Sequence, residues 1–85
     1  MRLDLFLKKT MIIKRRVIAK EIVERGNASI NNKVAKPSSE VKDGDIITLK
    51  LGKNLVEVKA IILIKNQKEW PNYDIIRKEG LNLED

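Results

Sequence analysis

The chain contains no cysteine and no histidine. The first absence excludes disulfides, thiolate nucleophiles and cysteine zinc sites, and the second removes the usual general base and the commonest metal ligand. The carboxylates stand singly among lysines instead of in pairs, so the expectation is a non-catalytic protein with no metal or cofactor. Aromatic residues are scarce: Phe6, Trp70 and Tyr73 are the only three, too few for a groove of rings that stacks on successive bases of a single strand. Long apolar runs are missing as well. The longest, Ala60 to Ile64, is far shorter than the ~20 residues of a membrane-spanning helix. Asp4, Lys8 and Lys9 interrupt what would be the apolar part of a signal peptide. A single cytoplasmic domain with no membrane partner is therefore expected.

What the chain does have is positive charge, concentrated in one place. The net charge is +6 over 85 residues. Residues 1–25 hold eight Lys and Arg against three acids, whereas the remaining 60 residues hold ten against nine. Such a patch on otherwise near-neutral protein attracts a polyanion, and nucleic acid is the commonest one in the cytosol. Recognition of phosphates and shape suits the composition better than stacking.

Leu3, Phe6 and Leu7 recur at helical spacing and predict a short helix from Leu3 to Lys9, followed by a compact apolar connection, Met11 to Ile13. From Arg15 onward, Ile18, Ala19, Ile22 and Val23 mark the core face of a second helix, which Gly26 and Asn27 terminate. The period then changes. Ala28, Ile30, Val34 and Val41 read as short strands separated by turns at Asn31-Asn32, Lys36-Pro37-Ser38-Ser39 and Lys42-Asp43-Gly44-Asp45. Ile46 to Leu51 alternates as a strand, Gly52-Lys53-Asn54 turns, and Leu55 to Ile64 forms a longer strand. Pro71 argues against a further strand, so Asp74 to Glu79 is read as a last helical turn before Gly80 and a frayed acidic end. The expected fold is α+β. Two short N-terminal helices pack on a small, mostly antiparallel β-sheet, with a domain over residues 1–64 and a C-terminal extension over 65–85.

On the second helix, Arg16 and Lys20 lie one turn apart beside the buried face, and Glu24 continues the stripe. A guanidinium fork suits phosphate oxygens or a guanine edge. Lys14 and Arg15 fall at the helix start, where backbone N–H groups favour an anion. Any one of these cations alone is best read as solvated surface; the cluster as a whole favours nucleic acid. Glu21 and Glu24 can pair with Arg25 and Lys20. Asp4 is better read as an acceptor for backbone N–H groups or a neighbouring Arg than as a catalytic acid. Ser38 and Ser39 suit turn stabilisation better than phosphate contact, and Trp70 and Tyr73 suit packing of the tail better than base stacking.

Arg2-Leu3-Asp4, Phe6-Leu7, Lys14 with Arg16, Ala19-Lys20, Gly26, Ile30-Asn31, Lys36-Pro37-Ser38 and Gly44-Asp45 fall in the order and spacing of the S-four RNA-binding domain, which residues 1–51 resemble. The resemblance implies an αL-shaped surface for structured RNA. Carried over position by position, it assigns RNA contact to Arg2, Asp4, Lys8, Lys14, Arg16 and Lys20, with Arg16 foremost; Lys9, Arg15, Lys36 and Ser38 complete the set of candidate RNA-binding residues. Met11 stands where relatives usually have Arg, and Asn32 replaces the customary turn glycine. Within the family the chain is most similar to small free-standing members of ribosome-associated quality control. That likeness implies binding to ribosomal RNA and peptidyl-tRNA on an obstructed large subunit, as a monomer, in support of a NEMF-type alanine-tailing factor (RqcH). Two alternatives remain: a general large-subunit rescue or assembly factor of the heat-shock protein fifteen type, and a protein-interaction module whose basic helix docks on an acidic partner.

Overall fold

Leu3, Phe6 and Leu7 are fully buried on one face of the first helix, α1 (Leu3–Lys9). The computed structural model describes residues 1–80, so the expected acidic end beyond Gly80 lies outside the described residues. The N-cap residue Arg2 gives α1 no side-chain cap. Instead the N–H groups of Leu3 and Asp4 donate to the carbonyls of Ser39 (2.8 Å) and Pro37 (3.1 Å), which satisfies two donors that a helix start leaves open. A loop distant in sequence is thereby fixed beside Arg2. The Thr10 hydroxyl donates to the Phe6 carbonyl at 2.7 Å, and Met11 turns the chain with a left-handed φ of 63°.

The second helix, α2 (Arg16–Glu24), buries Ala19 and Val23 and ends at Gly26, whose φ of +82° suits a residue without a Cβ. One expectation fails here. Ile18 is exposed, because it stands about 100° around the helix from Ala19, on which the contact face is centred. Ile22 lies at the margin of that face, half-buried against the core.

Five antiparallel strands follow: β1 (Ala28–Ile30), β2 (Lys33–Val34), β3 (Ile46–Leu51), β4 (Asn54–Lys65) and β5 (Lys68–Gly80), in the order β2-β1-β3-β4-β5. Asn31 and Asn32 take φ of 51° and 70°, the left-handed pair that a two-residue hairpin requires and that asparagine tolerates. Asn31 also ties this turn to β3. Its Oδ1 accepts from the Ile46 N–H at 2.9 Å and its Nδ2 donates to Asp45 at 3.0 Å. Asn31→Ala is expected to cost about 1–2 kcal/mol in thermal or urea unfolding, the worth of the lost bonds plus the turn preference. Asn32→Gly should be near neutral, and an equal cost at both positions would assign the effect to the turn alone.

Residues 68–80 form a strand, not the expected helical turn. Asn66 and Gln67 (φ 53° and 65°) make a tight turn, after which β5 pairs with β4 from Lys68 opposite Lys65 to Gly80 opposite Asn54. Without β5, the long β4 would present its backbone N–H and C=O groups unpaired, a larger cost than one helical turn could recover. Pro71 is tolerated because β5 is an edge strand with a neighbour on one side only. A bulge between Glu57 and Val58 leaves Ile76 as the extra residue on β5. One core joins the layers. Leu3, Phe6 and Leu7 of α1 and Val23 of α2 meet Ile47, Leu49 and Val58 of the sheet, and every residue from Leu63 to Trp70 is exposed.

Candidate RNA-binding surface

Asp4 is the only charged residue buried among the described residues. Its Oδ1 accepts from the Leu5 N–H (2.8 Å) and from Arg2 Nε (3.1 Å), while Oδ2 accepts from Arg2 Nη2 (3.1 Å) and lies 3.5 Å from Arg16 Nε. One carboxylate in the first turn of α1 thus holds two guanidinium groups, one bound bidentately. Both arginines remain about half exposed, at 50% for Arg2 and 47% for Arg16. The rest of each guanidinium is left open to solvent. Burial alone pushes the Asp4 carboxyl up, but the Arg2 hydrogen bonds, the Leu5 N–H and the charges of Arg16 and Arg2 together outweigh it and hold the group below the ordinary range.

Arg2, Asp4, Arg16, Val17 and Lys20 line one shallow hollow of about 250 Å³ between the two helices. Its ionisable side chains are three cations and one anion already committed to two of them. Lys14 and Arg15 are exposed immediately before α2, whose first turn contains no acid to offset the positive end of the helix. Lys36 and Ser38 are exposed on the loop whose Pro37 and Ser39 carbonyls cap α1, which places that loop next to Arg2. The hydroxyl that stabilises this turn belongs to Ser39, accepting from the Lys36 N–H at 2.8 Å.

Lys8 and Lys9 are not in the hollow. They project from the outer face of α1 into a separate cleft toward the start of β5. The ion pairs among the described residues do not include Glu21–Arg25 or Glu24–Lys20. Residue-by-residue reading missed Val17, whose exposed side chain forms one wall of the hollow; an apolar residue directly after Arg16 was the signal. It also read Trp70 as packed, whereas Tyr73 packs against the core and the indole remains 54% exposed.

The geometry agrees with what the chain resembles. The sequence model of the S4 domain matches residues 1–47. The RQC P-site tRNA stabilizing factor of Bacillus subtilis is 44% identical over 95% of this chain and 98% of its own length, and that of Listeria monocytogenes is 40% identical over 93% and 89%. Among solved structures, the trimeric structure of Vibrio cholerae Heat Shock Protein 15 superposes with a TM-score of 0.69 at 31% identity, covering 80% of this chain and 69% of that one. The two helices and the sheet beneath are thus shared architecture, and the chain belongs to the S4 domain family, in the branch of the RQC P-site tRNA stabilizing factors.

Proposed function

We propose that the protein is a non-catalytic RNA-binding factor of ribosome quality control. It binds ribosomal RNA and P-site tRNA on large subunits obstructed by peptidyl-tRNA, and it assists an RqcH-type factor in tailing the stalled chain with alanine. The observation that carries this reading is the sharing of Asp4 between Arg2 and Arg16, which presets two guanidinium forks beside Lys20. Preset forks lose little entropy on meeting phosphates and suit a folded RNA of fixed shape. The relatives named for stabilising P-site tRNA support the ribosomal setting.

Arg16→Ala is expected to weaken RNA binding by about 1–3 kcal/mol and to lower the melting temperature only slightly, because the side chain lies outside the core and Asp4 keeps its hydrogen bonds from Arg2 and Leu5. Unfolding of the variant would make Arg16 structural. Co-sedimentation tests the setting. A preference for large subunits that carry peptidyl-tRNA over empty ones is expected, and equal binding to both would instead indicate a general large-subunit rescue or assembly factor.

A further inference from the structure

An open cleft of about 650 Å³ lies outside the Arg2–Arg16 hollow, between α1 and the first residues of β5. Lys8 and Lys9 line it from the helix, Met11 from the interhelical turn, and Lys68 and Trp70 from the strand. Its one acid, Glu69, lies 3.5 Å from the Met1 ammonium, which leaves the three lysines in excess. Trp70 and Met11 are 54% and 60% exposed, although the indole is the largest apolar side chain of the protein. Packing does not explain it. Trp70 pairs with Leu63 in the part of the β4–β5 hairpin beyond Ile62, where neither strand reaches the core.

An exposed indole and a thioether flanked by three ammonium groups make a platform for a π-system that carries negative charge. Nucleotides have that chemistry, and an acidic peptide supplies the charge without the flat ring. The cleft neighbours the hollow across α1, since Lys8 stands one turn after Asp4 on the same helix and Met1 adjoins Arg2. A single ring takes one base, not a run of them. Resting on the RNA-binding reading above, we infer that this cleft receives one unpaired nucleotide of the bound RNA, its base against Trp70 and Met11 and its flanking phosphates on Lys8, Lys9 and Lys68.

Trp70 is the only tryptophan, so its emission reports on the cleft alone. The test uses the full chain with two RNA hairpins, one fully paired and one identical except for a single unpaired adenosine in the stem. Fluorescence anisotropy of labelled RNA follows binding, and tryptophan emission with unlabelled RNA follows the cleft. The bulged hairpin is expected to quench Trp70 strongly at saturation and the paired one to leave it almost unchanged. Trp70→Ala should weaken the bulged hairpin about tenfold, as loss of one stacked base does, and spare the paired one, whereas Arg16→Ala weakens both. Unchanged emission in wild-type protein saturated with bulged RNA overturns the inference without any variant, and so does an equal effect of Trp70→Ala on the two hairpins. Absence of binding to either RNA overturns the RNA-binding reading and the cleft with it.

Discussion

Raising salt from about 50 to about 200 mM is expected to weaken RNA binding by roughly 60- to 1,000-fold, a log-log slope of about three to five. The slope counts counterions released when phosphates are neutralised. Arg2, Arg16 and Lys20 line the hollow, Lys14 and Arg15 stand just before α2 and Lys36 on the loop beside Arg2, but Asp4 already offsets part of the charge of the first two. About four to six phosphates are therefore within reach of neutralisation. Binding isotherms at four or more salt concentrations measure this directly. A slope below about one would mean that the basic face is solvated surface, and that any RNA association runs through other contacts.

Asp4→Asn is the second large effect, and it sets two electrostatic arguments against each other. The substitution removes a negative charge from the basic face, so bulk attraction alone predicts tighter binding. The geometry predicts the reverse. Asparagine can still accept the Leu5 N–H, yet its amide nitrogen faces guanidinium donors, and Arg2 and Arg16 lose the acceptor that fixes their directions. Affinity for structured RNA is expected to fall severalfold, and stability by about 1–3 kcal/mol from the lost charge-assisted bonds. Binding equal to or tighter than wild type would rule out the organising role of the carboxylate.

The same residue gives a pH signature. The folded protein holds the Asp4 carboxyl below its ordinary value, so its contribution to stability is complete above that value and disappears as pH falls through the depressed one. Urea unfolding between about pH 5 and pH 2 should show a loss in wild-type protein that is smaller in Asp4→Asn. Parallel curves for the two proteins would mean that other carboxylates carry the acid sensitivity.

Much of the fold was legible in the chain. The helical spacing of Leu3, Phe6 and Leu7, the alternation from Ile46 to Leu51, and the Asn31-Asn32 and Gly52-Lys53 turns are local signals, and each element formed within a residue or two of its expected bounds. Asn32 adopts the left-handed conformation that its departure from the customary glycine required. Val41, expected in a short strand, is buried outside every described strand, and two further readings failed because the decisive forces were not local. Asp74 to Glu79 contains no strong strand pattern, and only the need to pair the outer edge of β4 draws it into the sheet. Ile18 looked like core by spacing, but where α1 presses on α2 sets the centre of the buried face.

The candidate site divides along the same line. Composition and order alone determined the cationic segment and its placement on two short helices, because charge and helical period are properties of neighbouring residues. Only the tertiary structure decided that Arg2 and Arg16 share one buried carboxylate, that Lys8 and Lys9 face a different cleft from Arg16, and that Trp70 is exposed beside them. Those facts depend on how α1 is wedged between α2, the capping loop and the hairpin. Distances between residues far apart in sequence follow from packing and strand pairing, which no local pattern encodes.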